Sequence, residues 1–181
     1  MGNEKKKQYI DIRACREGDL SLLIYGFSDA SAEIYLYEAV SHGHLNIVKY
    51  LVERGLGKIN WRILEFLETV SSKGHVDILK YFVEDLKLVF HQIEEVVLRK
   101  ASAAGHLDIV KYVVEKGSDV NIRQGSPLRS AALEGHYEVV KYLVENGSII
   151  SPKAYEFALK NKYYSTAHYL DKHFIYKKLE V

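Results

Sequence analysis

Five histidines are the residues here best suited to chemistry: His42, His44, His75, His106 and His136. Imidazole is the commonest metal ligand and the usual proton carrier near neutral pH. Four of the five follow a glycine, and those glycines, Gly43, Gly74, Gly105 and Gly135, stand 31, 31 and 30 residues apart. The regular spacing opposes a shared metal. Equivalent points on stacked helical units lie about 8–10 Å apart. Zinc needs every ligand atom within about 2.1 Å of one ion. His42-x-His44 is a pair with no further ligands beside it. The histidines read instead as groups that hydrogen-bond a neighbouring loop at the start of a helix.

The other candidates for chemistry fall short in similar ways. Arg54 to Asn60, RGLGKIN, faintly resembles a phosphate loop but lacks the glycine spacing and the Ser/Thr after Lys58, so it reads as a helix end. There is no HExxH, no GxSxG and no acid pair outside repeated, solvent-facing positions. Cys15 is the single cysteine. It can form no internal disulfide and reads as a small core residue. No catalytic residue, metal or cofactor is expected.

The elements that carry these residues repeat. GHLNIVKYLVERG begins at Gly43, GHVDILKYFVED at Gly74, GHLDIVKYVVEKG at Gly105 and GHYEVVKYLVENG at Gly135. A fixed period of this size marks a solenoid, whose units bury their apolar faces against one another. In SPLRSAALEGHYEVVKYLVENG, Ser126 suits a helix N-cap and Pro127 the first helical position. Leu128, Ala131 and Ala132 then follow at helical spacing. Val139, Val140, Leu143 and Val144 mark a second amphipathic helix that ends at Asn146-Gly147. The unit is helix, tight turn, helix, connector.

SPLRSAALEGH resembles the ankyrin motif Thr-Pro-Leu-His-x-Ala-Ala-x-x-Gly-His, and GSDVN, from Gly117, resembles the segment after the second ankyrin helix. The resemblance implies an all-α ankyrin-repeat solenoid forming a single domain, 1–181. It has an N-terminal capping repeat at about 6–28 and full repeats at about 29–58, 59–90, 91–120 and 121–150. A C-terminal capping repeat follows at about 151–181, with Asn161 in the glycine place. Repeats of 30 or 31 residues are shorter than the family's roughly 33, which predicts short connectors in place of long β-hairpin fingers. The repeat style is similar to that of ankyrin proteins encoded by large DNA viruses of amoebae. The copy ending near Asp85 has no closing glycine.

Net charge is +1, with Lys+Arg 25 against Asp+Glu 24. That balance points away from nucleic acid and from anionic membrane surfaces. The row Tyr50, Tyr81, Tyr112 and Tyr142 has no basic stripe beside it, so packing between second helices is preferred to base stacking. Asp77, Lys80 and Glu84, recurring as Asp108, Lys111, Glu115 and as Glu138, Lys141, Glu145, read as a solvated outer face with weak ion pairs. No stretch is apolar enough to cross a membrane. MGNEKKKQYI lacks the apolar core of a signal peptide, and Lys6 stands where myristoylation needs Ser or Thr. An intracellular, cytoplasmic, monomeric protein is expected, in host cytoplasm if viral.

In ankyrin proteins the first helices and connectors line the concave face, where partners dock. That implies a non-catalytic module for protein recognition. The candidate partner-binding residues are Trp61, Arg62, Lys73, Arg99, Lys100, Arg123, Gln124, Arg129 and Ser130, with Glu94 and Glu95 on the same face. The basic members predict a protein partner that presents acidic groups. A structural or self-associating module is the alternative; an enzyme built on the scaffold has no support in the sequence.

Overall fold

Each Gly-His step ends one helix and starts the next, and the chain is built from that alternation. The computed structural model describes residues 2–26, 32–55 and 63–179, and no strand occurs among them. The helices come in pairs. They are α1 (Gly2–Glu17) with α2 (Leu20–Gly26), α3 (Ala32–His42) with α4 (Leu45–Glu53), and α5 (Ile63–Lys73) with α6 (Val76–Lys80). Then come α7 (Glu94–Ala104) with α8 (Leu107–Glu115), α9 (Ile122–Glu134) with α10 (Tyr137–Glu145), and α11 (Pro152–Lys160) with α12 (Tyr164–Leu179). Contacts divide the chain into two compact units, Met1–Leu88 and Val89–Val181. In the first, α3 packs between α1 and α5, and α4 packs on α6. In the second, α9 packs between α7 and α11, and α10 between α8 and α12. Within each unit, first helices stack on first helices and second on second.

The apolar spacing read from the repeats fills the core. Ile47, Val48 and Leu51, Ile109, Val110 and Val113, and Val140 and Leu143 are all fully buried. Burying such a side chain stabilises by about 1.5–3 kcal/mol. The first helices meet through small residues: Ala14, Cys15, Ala39, Ala101, Ser102, Ala131 and Ala132 are all fully buried. Without bulk at these positions, two helix backbones can approach closely.

The histidines fasten one repeat to the one before. His44 Nε2 lies 2.8 Å from the Arg16 carbonyl, His75 Nε2 3.2 Å from that of Ser41 and His136 Nε2 3.0 Å from that of Ala103. A carbonyl can only accept, so each Nε2 carries the proton and donates. The other side of each ring lies on the preceding repeat's glycine. A Cβ on Gly18, Gly43 or Gly105 would stand 2.6, 2.6 or 2.4 Å from the imidazole Nδ1 of His44, His75 or His136. These histidines occupy the N-cap positions of their helices but make no side-chain cap bond. Asp19 stands in the histidine place after Gly18. Its Oδ1 accepts from the Ser21 backbone N–H at 3.0 Å, as a conventional N-cap.

The register of the last repeat differs from the sequence expectation. Lys162, not Asn161, occupies the glycine place, with φ 64°. Tyr163 occupies the histidine place: its N–H bonds the Ala158 carbonyl at 2.8 Å, as that of His136 bonds Ala131 at 2.9 Å. The Tyr163 ring lies on Gly135, where a Cβ would meet it at 2.4 Å. Asn161 donates instead to the Leu133 carbonyl at 3.0 Å.

The copy without a closing glycine ends in its own way. After α6 the chain runs on as a π-helical turn, Tyr81–Asp85. Leu86 and Leu88 donate back to the Tyr81 and Phe82 carbonyls at 3.1 and 3.2 Å. Lys87 takes the left-handed conformation, φ 56°. Of the tyrosine row, Tyr81 and Tyr112 are each 7% exposed, and Tyr50 and Tyr142 are half-buried. Lys49 sits over the Tyr81 ring at 5.1 Å and Lys111 over Tyr142 at 5.9 Å, so each lysine lies on the next repeat's tyrosine.

Candidate functional site

The basic candidates of the second unit lie on two adjacent elements. Helix α7 carries Glu94, Glu95, Arg99 and Lys100. The start of α9 carries Arg123, Gln124, Arg129 and Ser130. Three consecutive residues there are left-handed: Arg123 (φ 47°, ψ 48°), Gln124 (φ 58°, ψ 43°) and Gly125 (φ 75°, ψ 31°). Regular helix begins only after them, at Ser126-Pro127. For a residue with a Cβ, the left-handed region costs roughly 1–2 kcal/mol, so Arg123 and Gln124 stay there only because neighbours hold them.

Arg129 is the principal holder. Its guanidinium donates to the Gln124 carbonyl through Nη1, and to the Arg123 carbonyl through Nη2 at 3.2 Å. Asn121 anchors the turn from below. Its carbonyl accepts from the Gly125 N–H at 2.9 Å. Its side chain donates to the Gly147 carbonyl at 3.2 Å and accepts from the Ile149 N–H at 2.7 Å, joining this connector to the next. Arg129 therefore supports the backbone of this turn.

Arg99 and Arg123 converge. Arg99 Nε lies 3.3 Å and Arg123 Nε 3.1 Å from the same atom, Glu95 Oε1. The Arg123 side chain is 70% exposed, Arg99 34% and Glu95 24%. Each arginine engages the carboxylate through Nε, which leaves its terminal pair of nitrogens for another acceptor. Beyond the turn, Gln124 and Arg129 line an open groove of about 550 Å³ with Ser151, Pro152, Lys153 and Glu156 from the start of α11.

The remaining candidates divide as follows. Lys100 and Ser130 are half-buried on α7 and α9. Lys73 is exposed in the last turn of α5, in the first unit. Trp61 and Arg62 lie outside the described residues. Sequence reading placed Glu95 on this face without its role. The i, i+4 spacing to Arg99 carries half of that signal, and Arg123 one repeat on carries the rest. Lys153 and Glu156 were missed because nothing local marks them.

Groups with reactive potential are otherwise occupied. Cys15 is fully buried, and burial, with Asp11 and Glu38 nearby, pushes its thiol up to about 12. It has no thiolate for nucleophilic work at neutral pH. Arg16 holds the Glu38 carboxyl below its ordinary range through two hydrogen bonds of 2.8 and 2.7 Å. Among the described residues, no three His, Cys, Asp or Glu side chains group as a metal site, and no helix is long and apolar enough to cross a membrane.

Residues 66–154 match the family model for ankyrin repeats, in three copies. No curated protein matches the chain in sequence. The match shows ankyrin repeats over residues 66–154, and the paired helices already described are an all-α stack of the same helix–turn–helix units.

Proposed function

We propose that this chain, with ankyrin repeats over residues 66–154, is a non-catalytic module that binds an acidic protein partner. Ankyrin repeats in general mediate protein–protein interactions. The docking face proposed here is the one that the first helices and connectors build in the second unit, the face that is concave in ankyrin proteins. One observation carries the reading: Arg99 and Arg123 both meet the Glu95 carboxylate through Nε, at 3.3 and 3.1 Å. Arginine pairs a carboxylate through two parallel hydrogen bonds, which gives geometry as well as attraction. On this reading the protein acts as a monomer in the cytoplasm, the host's if the amoebal-virus style of its repeats reflects its origin.

Arg99→Glu with Arg123→Glu is the direct test. Arg129 is left alone, because its loss would release the left-handed turn. Lys111→Glu with Lys141→Glu changes net charge equally on the second helices. In affinity capture from the native cell, the first double variant is expected to lose the partners that wild type retains, and the second to keep them. Equal loss in both would remove the first-helix face from consideration. Loss in the lysine pair alone would move the site to the second helices.

A further inference from the structure

We infer that Glu95 is a positioning residue of this face, setting Arg99 and Arg123 side by side to take two neighbouring carboxylates of an acidic peptide. The inference rests on the proposed binding face and adds how that face selects. A free arginine side chain carries substantial rotamer entropy, and a partner must overcome that cost for each arginine it orders. Here Glu95 Oε1 accepts a hydrogen bond from Arg99 Nε at 3.3 Å and forms an ion pair with Arg123 Nε at 3.1 Å.

The geometry also says which edge of each guanidinium remains. With Nε occupied, the end formed by Nη1 and Nη2 is the bidentate edge available to a carboxylate. Two arginines offer two such ends, so the ligand is a pair of adjacent acidic side chains. The backbone below is prepared in the same way. Arg123 sits in the left-handed turn that Arg129 holds through the Arg123 and Gln124 carbonyls. Both supports come from this chain's own residues.

This separates Glu95 as a support from Glu95 as a competitor. If the carboxylate merely neutralised the arginines, removing it would strengthen binding of any anion, since net charge rises by one. If it positions them, removal weakens binding despite the added positive charge.

The experiment uses the full chain and blocked tetraglutamate, acetyl-Glu-Glu-Glu-Glu-amide, at low ionic strength. Affinity is read by calorimetry, and the arginine Nε–Hε and Nη signals by proton–nitrogen NMR. In wild type, tetraglutamate is expected to shift the Arg99 and Arg123 Nη signals while their Hε signals hold. Glu95→Ala should bring both Hε signals to the position of free arginine. It should weaken tetraglutamate binding about two- to fivefold, the range that ordering a partly exposed charge pair commands. Glu95→Gln, which keeps an acceptor oxygen, should fall between.

Unchanged or tighter binding in Glu95→Ala overturns the positioning role. Absence of wild-type binding, or binding that spares Arg99 and Arg123, overturns the site. Inorganic phosphate binding as tightly as tetraglutamate overturns the paired-carboxylate class. Capture of native partners by the arginine-pair variant is a separate readout. The recognition face therefore stands or falls on its own if Glu95 proves passive.

Discussion

The repeat built on α9 and α10 and the pair α11 and α12 share a frame, and they differ at the residues that the neighbouring repeat covers in the first. Gly135 corresponds to Lys162, His136 to Tyr163 and Ala132 to Leu159. Ala132 is fully buried, whereas Leu159 is 45% exposed. Gly135 carries the Tyr163 ring directly on its Cα, while Lys162 holds the same left-handed backbone with a full side chain. Both pairs open on Ser-Pro and fold alike locally. The small residues of the inner repeat are thus demanded by the neighbour that covers them. They are not demanded by the helix–turn–helix itself.

That contrast can be broken most sharply at the glycines. Gly135 and Gly147 are both left-handed, with φ 77° and 91°, but a Cβ on Gly147 would meet nothing within 4 Å. Gly147→Ala is expected to cost only the backbone strain, about 1–2 kcal/mol. Gly135→Ala adds displacement of the Tyr163 ring, for a total of about 2–5 kcal/mol. Denaturant unfolding of the two variants measures the difference directly. Equal losses would mean that the ring contact contributes nothing.

A smaller effect separates Ala132 from Leu159. Ala132→Leu overpacks a buried contact and should cost about 1–3 kcal/mol. Leu159→Ala removes a half-exposed side chain and should cost less than about 1 kcal/mol. A larger loss at Leu159 would show that something covers the end of the second unit.

The smallest effect has the opposite sign. Lys162→Gly relieves a left-handed lysine but adds chain entropy to the unfolded state, for a net gain of about 0.5–1 kcal/mol. If melting shows this variant destabilised, Lys162 is doing something in the cap beyond turning the chain.

The period of 31, 31 and 30 residues, with small residues (Ala or Ser) before each Gly-His and apolar residues after it, was enough to read the paired helices and the buried face of each second helix. It also showed where the helices turn. Those features are local, so a single repeat displays them. The sequence also brought Arg99, Arg123 and Arg129 to one face by repeat position. It could not say what each arginine holds. Arg129 reaches back five and six residues, to Gln124 and Arg123, because that stretch is left-handed, which only Gly125 hinted at. Arg123 meets Glu95 across 28 residues, at a distance set by how α7 and α9 pack. The last repeat was misread by one position for a similar reason. Asn161 looked like the glycine substitute by residue type, but hydrogen bonding put Lys162 there. Periodicity settles what recurs within each unit, because every copy meets the same helix geometry. Side-chain partners were settled by packing, because hydrogen bonds between repeats depend on atoms brought within about 3 Å by contacts that no single repeat contains.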